Sequence, residues 1–276
     1  MLGLLLLQVL SSCLWLGHSE VVSSFASCRQ FFYAGTPPND VLEPENPAKI
    51  CQRYSNSYHF ATLYDRRRRI PVYSAYIYKP GSGKRPHTWS FVEPQLIGNN
   101  NLKEMEREWV LIYYYNFTTE QIKDSQAVVD DYEKMLGLDR GQLNPSRHQD
   151  GTDSKTATFT LTNTVPQDNC LYVRQWNNYE SEIMPQLTKN CTTTYVITGA
   201  VPGKTYLVNG RVNRPSHIWS AACCVGGTQP KKAWGVIAEN DMNQVEVLSL
   251  GDLEDRLTTL YGGNTVTLFS SACPRQ

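Results

Sequence analysis

The residues best suited to chemistry fall in three stretches. From Arg66 to Arg85 there are seven basic residues (Arg66, Arg67, Arg68, Arg69, Lys79, Lys84 and Arg85) and no acidic ones. Guanidinium forks match phosphate oxygens, so this run reads either as a phosphate-contacting patch or as the solvated tip of a hairpin. Its interleaved tyrosines suit base stacking and suit core packing equally well. A second stretch, Leu138-Asp139-Arg140-Gly141-Gln142-Leu143-Asn144-Pro145, sets a carboxylate, a guanidinium and an amide close together. The amide of Gln142 can orient a water but has no basic form near neutral pH, so it cannot take a proton from that water. The third is Asp130, Asp131 and Glu133, a cluster that could suggest a metal and reads better as a solvated helix face. His148, six residues after Gln142, is the remaining candidate base nearby and is expected to point elsewhere. His59, His87 and His217 have no partner spacing and read as structural or surface residues.

These stretches need a frame. Tyr58 to Tyr64 and Ile70 to Tyr78 read as two strands joined through Asp65 and the arginine run, with Pro71 near a strand start where a missing N–H is tolerated. Thr119 is expected to cap a helix running to about Leu136, with Gly137 as its stop. Leu138 to Leu143 follows directly. Thr156 to Asn163 reads as a strand. Arg174 to Leu187 reads as a helix with Trp176, Tyr179, Ile183, Met184 and Leu187 on one face, and Pro185 kinking or ending it. Tyr195 to Thr198, Tyr206 to Val208, Trp234 to Ala238 and Thr265 to Phe269 are further strands, and Asp252 is expected to cap a short helix to Leu260. Strands and helices mix without a β-α-β rhythm, which makes the class α+β.

The 276 residues carry 26 basic and 26 acidic side chains, so any nucleic-acid contact must come from a local patch rather than from overall charge. Residues 1–19 hold no Lys, Arg, Asp or Glu and are mostly apolar up to Leu16. They read as a secretory signal peptide cleaved near Ser19, leaving a single domain over 20–276. No later segment is long and apolar enough to span a membrane. Past Cys13 there are seven cysteines, enough for up to three disulfides with one thiol left over, and Cys28 with Cys51 could pin the Pro-rich arm that follows Phe31-Phe32-Tyr33. No C-x-x-C pair suggests metal. Asn116-Phe117-Thr118 and Asn190-Cys191-Thr192 are N-glycosylation sequons, which matter only in a secretory chain.

Taken in order, Phe60-Ala61-Thr62-Leu63-Tyr64-Asp65 with Arg69 to Tyr76, Asp139-Arg140-Gly141, Phe159-Thr160-Leu161-Thr162-Asn163 with Pro166-Gln167, and Trp176 with Glu180 resemble the DNA/RNA non-specific endonucleases, the ββα-metal (His-Me finger) nucleases. The resemblance covers about residues 28–273, with a motif core over about 58–220. It implies a central mixed or antiparallel sheet flanked by helices, a nucleic-acid substrate, and Mg²⁺-assisted phosphodiester hydrolysis in which a histidine deprotonates water. Asp139, Arg140 and Gly141 match the motif. Asn163 matches a family asparagine near the scissile phosphate, and Glu180 matches the family glutamate. Gln142 stands where the family has its general base. Tyr172 stands four residues before Trp176 and eight before Glu180, where the family has its metal-binding asparagine, and a neutral phenol is a poor ligand for a hard cation. The resemblance therefore implies a nuclease whose cleavage is weak or lost. The competing reading is a non-catalytic module on the same scaffold, gripping nucleic acid through Arg66–Arg69 or binding a protein partner.

Overall fold

The computed structural model describes residues 20–86, 91–133, 135–207 and 210–276; the leader reading and His87 lie outside them. Eight strands form one sheet, whose neighbours in order are Val21–Val22, Pro47–Tyr54, Ser57–Asp65, Ile70–Ile77, Thr193–Val201, His217–Gly226, Gln229–Glu239 and Glu246–Leu248. All its pairings are antiparallel. The arginine run makes the turn between two of these strands, with Arg69 at a φ of 56°.

The sheet is buried on both faces. Along His217–Gly226 successive side chains point to opposite sides. Ile218, Ala222 and Cys224 join the core that also holds Trp176, Tyr179 and Leu171. Trp219, Ala221 and Cys223 join the core that holds Phe25, Phe32, Leu253 and Phe269. The adjacent cysteines therefore staple different layers. Cys224 bonds Cys191 after the long helix, and Cys223 bonds Cys273 at the C-terminal end. Cys28–Cys51 pins the N-terminal arm, and among the described residues Cys170 is the free thiol.

On the first face lies a separate hairpin, Leu138–Gln142 paired with Thr164–Asp168, followed at once by a helical run over 169–187. Asp168 caps that run, its carboxylate accepting from Leu171 N at 3.2 Å. The helix starts five residues before the expected Arg174, because the cap lies at Asp168. Pro185 falls in its last turn, which ends at Leu187. Wide π turns at Tyr172–Trp176 and Tyr179–Ile183 interrupt it.

Several expected elements take other forms. The helix capped at Thr118 stops at Lys123, and a short 3-10 turn, Val129–Tyr132, replaces the rest. Buried Gln126 is the reason: its side chain hydrogen-bonds both backbone groups of Glu93, at 2.7 and 2.9 Å, and pulls the chain out of helical geometry. Asp131 is not on a solvated face; it is buried and accepts from Arg211 Nε at 3.0 Å. Residues 156–163 do not form a strand. They are the end of the helix Thr152–Ala157 and the turn Leu161–Asn163, with Thr158, Thr160 and Thr162 hydroxyls turned inward to Lys155 O and Glu93 Oε1. Such side-chain bonds compete with a strand ladder. The Thr265–Phe269 strand is also absent, because the Asn39 side chain satisfies Thr265 O and Thr267 N in place of a neighbouring strand. Ser249, not Asp252, caps the helix Leu250–Leu260, its hydroxyl accepting from Asp252 N at 3.1 Å. The strand expected over 206–208 begins at Thr205: Thr205–Tyr206 pairs with Asn213–Arg214, Leu207 N donates to Val212 O at 2.9 Å, and Val208 lies outside the described residues.

Candidate active site

Gln142 ends the first strand of the hairpin, and the helical run carries Tyr172 and Glu180 back across it. The three line one cavity of about 190 Å³ together with Arg85, Pro145, Ser146, Arg147 and Lys155. Asp139, Arg140, Arg85 and Tyr172 line an adjoining recess, so Arg85 and Tyr172 stand between the two. Close packing of the hairpin depends on Gly141: a Cβ there would strike the side chain of Gln167 across the ladder.

Gln142 is fixed at both ends of its amide. Its Nε2 donates to Thr158 O at 2.8 Å and to Thr158 Oγ1 at 3.0 Å, while its Oε1 accepts from Ser146 N at 3.2 Å. Tyr172 is a neutral phenol whose pKa burial raises further. Glu180 is buried, and its pKa is pushed up to about 7 by loss of solvent, against the pull of Arg147, a hydrogen bond from Trp176 and the charge of Arg85. The Arg147 Nε–Glu180 Oε2 pair spans 3.5 Å, and the arginine side chain is 42% exposed. A long, half-solvated pair recovers less than burial costs the carboxylate, which is why burial sets the direction. Trp176 is one helical turn before Glu180, so the indole N–H reaches the carboxyl along one face.

Three cations that the motif reading did not single out complete the cavity. Each is held in place: Arg85 over the Phe159 ring at 5.4 Å, Lys155 Nζ on Gly81 O at 2.9 Å, and Arg147 against Glu180. Arg85 closed the basic stretch in the sequence. Arg147 and Lys155 lay in a polar loop with no periodicity to mark them.

Asn163 is not in this cavity. It is fully buried, its Oδ1 accepting from Ser74 Oγ at 2.8 Å and Asn144 N at 3.0 Å, its Nδ2 donating to Asn144 O and Thr158 O. It ties the loop after Gln142 to the sheet. A chain of buried polar groups continues from Ser74 through Thr62, Gln52 and Thr162 to Glu93. His148 is buried beside the cavity with both ring nitrogens used. One faces Tyr76 OH at 3.0 Å and the other donates to Glu180 O at 3.1 Å, and burial lowers its pKa to about 3. His59 bridges Ser154 and Tyr54 O.

The arginine run lies at the far hairpin turn, outside the cavity lining. Arg67 pairs with Glu45, Arg68 with Asp65 at 2.8 Å, Arg69 donates to Lys123 O at 3.1 Å, and Arg66 reaches Leu96 O at 3.5 Å. Among the described residues no group of three or more His, Cys, Asp or Glu could hold a metal ion. The donor set at the implied metal position does not suit Mg²⁺ either, since a hard cation needs free carboxylate, amide or water oxygens. Here the amide oxygen is occupied, the phenol is neutral, and an arginine already faces the carboxyl.

Two antiparallel strands that hand directly into a helix, laid on a large sheet with motif residues at their junction, define a ββα nuclease scaffold. The family model for the DNA/RNA non-specific endonucleases matches residues 37–261, and the chain belongs to that family. It is 37% identical over 248 residues to human endonuclease domain-containing 1 protein and 35% identical over 243 residues to the mouse protein, matches that cover 86% and 85% of this chain. They cover 47% and 46% of those relatives, so the chain spans about half their length. A solved structure of the EndoG/EndoGI complex shares the fold with a TM-score of 0.53 at 18% identity, over 76% of this chain and 83% of that one.

Proposed function

We propose that this chain is a secreted member of the family that binds the phosphate backbone of DNA or RNA at the Arg85–Arg147–Lys155 cavity and cleaves it weakly or not at all. The observation that carries this reading is the Gln142 amide, locked between Thr158 and Ser146 where the family has its general base. Loss of a general base costs about 10²–10⁴ in rate. Tyr172 supports the same conclusion by giving a hard cation no anchor. Three ordered cations beside one carboxyl of raised pKa leave the cavity electropositive near neutral pH, which favours a phosphodiester oxyanion without a metal. Arg66–Arg69 are engaged by internal acceptors, which makes them a secondary contact. Three disulfides and two exposed sequon asparagines, Asn116 and Asn190, support an oxidising compartment. A protein partner is the second reading; the exposed Trp109, Tyr113, Tyr114 and Tyr115 favour it, as does the inhibitor complex in which the solved neighbour is described.

The test is digestion of plasmid DNA and RNA with Mg²⁺ or Mn²⁺ by the wild type, Gln142→His and Gln142→His/Tyr172→Asn. The expected result is no cleavage by wild type and gain of cleavage in the double variant. Metal-dependent cleavage by wild type that is lost on Glu180→Ala would overturn the reading. Binding is followed by anisotropy of a labelled oligonucleotide in EDTA. Affinity is expected to fall with salt and to weaken in Arg147→Ala/Lys155→Ala more than in Arg66→Ser/Arg67→Ser.

A further inference from the structure

A second cavity, of about 200 Å³, opens on the second face of the sheet. Its floor is a row of residues paired across three strands, Lys49 opposite Leu63 and Leu63 opposite Tyr73. Residues paired in this way share one face of a sheet. The walls are Phe25, whose ring centroid lies 6.4 Å from that of Tyr73, with Pro37 and Pro38 of the N-terminal arm. The arm is fixed at both ends. Cys28–Cys51 ties its start to the sheet, and Asn39 N donates to Thr267 O at 3.0 Å beside the two bonds of the Asn39 side chain. The cavity is therefore preformed, with apolar walls and few polar groups, as small-molecule sites are. Two of those polar groups are unused. Tyr73 lines the cavity and is 3% exposed, and its hydroxyl has no hydrogen-bond partner among the described residues. Burial, and then the charges of Glu43 and Asp40, raise its pKa, so a neutral phenol stands near both carboxylates. Lys49 takes both oxygens of Glu43, at 3.0 and 3.1 Å. The Asp40 side chain has no ion pair or hydrogen bond among the described residues. Two carboxylates and one ammonium leave the lining with one negative charge in excess.

We propose that this cavity binds a small aromatic primary amine, its ring among Phe25, Pro37, Pro38 and Leu63 and its ammonium between the Tyr73 hydroxyl and the Asp40 carboxylate. Each part of such a ligand answers a feature of the cavity. An apolar cavity of about 150 Å³ takes a benzene ring. One of about 200 Å³ takes the ring with a two-carbon amine chain. The aromatic ring suits walls of aromatic and proline carbon. The ammonium cancels the excess charge and brings N–H donors to a phenol oxygen that lacks one and to a carboxylate without a partner. An alcohol of the same size brings no charge. A carboxylate would set a third anion beside Asp40 and Glu43. The cavity shares no lining residue with the one at Gln142, and the inference does not rest on how that cavity treats nucleic acid.

The protein is titrated with phenethylamine by isothermal titration calorimetry, beside phenethyl alcohol and hydrocinnamate, which carry the same ring on a neutral and an anionic chain. The amine is expected to bind saturably at one site, about tenfold more tightly than the alcohol, as one charge-assisted hydrogen bond would give. Hydrocinnamate is expected to bind more weakly still. Asp40→Asn is expected to erase the preference for the amine. Tyr73→Phe, which keeps the ring, is expected to weaken amine binding several-fold. Ser24 lines the cavity and is exposed, so Ser24→Phe is expected to fill the opening and block the amine without disturbing the core. Asp40 is exposed as well, and melting of both variants at the wild-type temperature without ligand shows that they are folded. No saturable heat from the amine, or equal affinity for amine and alcohol, overturns the proposal. So does a preference that Asp40→Asn leaves unchanged, or binding that survives Ser24→Phe.

Discussion

Replacing Glu180 by Gln tests the electrostatics of the cavity directly. The Glu180 carboxyl is carried by burial from an ordinary 4.5 to about 7, even though Arg147 stands 3.5 Å away. A group whose folded pKa lies above its unfolded pKa holds its proton longer in the folded state. Below about pH 4.5 both states are protonated and nothing is lost. Between 4.5 and about 7 the unfolded chain has released the proton and the folded chain has not, so stability falls as pH rises; above about 7 the loss is complete. At 1.36 kcal/mol per pH unit the displacement corresponds to about 3 kcal/mol. Gln keeps the shape and accepts from the Trp176 indole without carrying charge. Glu180→Gln should therefore match the wild type near pH 4.5 and exceed it by pH 8, by on the order of 3 kcal/mol, or roughly 6–10 °C in Tm for a domain of this size. Differential scanning calorimetry of both proteins from pH 4.5 to 8 measures this. A Tm difference that stays flat, or that favours wild type at pH 8, would refute the reasoning and mean that Arg147 stabilises an ionised Glu180. Oligonucleotide affinity gives the matching result: below pH 7 the neutral carboxyl should let the cations bind phosphate more tightly in the wild type, and Glu180→Gln should abolish that dependence.

Other parts of the fold are as open to measurement. The Cys191–Cys224 disulfide closes a loop with a sequence separation of 33, and Cys191→Ser/Cys224→Ser should cost about 4 kcal/mol in denaturant unfolding while keeping the Asn190 sequon intact. Gly199 packs under the Trp219 ring and against Val72 O, so Gly199→Ala should lower stability by about 1–3 kcal/mol through overpacking, seen as a lower urea midpoint at unchanged m-value. Asn116→Gln and Asn190→Gln, made separately in secreting cells, should each remove one glycan by intact mass; an unchanged mass for both would count against passage through the secretory pathway.

The sequence by itself determined the motif order, the α+β class, the odd cysteine count and the residue types at the positions proposed for base and metal ligand, because residue type at fixed spacing is a one-dimensional property. Gln142 has no basic form in any fold, and Tyr172 has no carboxylate to offer in any fold. The tertiary structure decided what surrounds them. Thr156 to Asn163 had the composition of a strand, yet Glu93, some seventy residues away, draws its threonines inward. Asp131 looked solvated until Arg211 crossed to meet it, and Arg66 to Arg69 looked like a free patch until Glu45, Asp65 and two carbonyls engaged them. Arg147 and Lys155 carried no periodic signal, and only the fold brings them to Arg85 around one cavity. Burial and long-range partners set whether a charge is free, paired or protonated, and neither can be read from the order of residues along the chain.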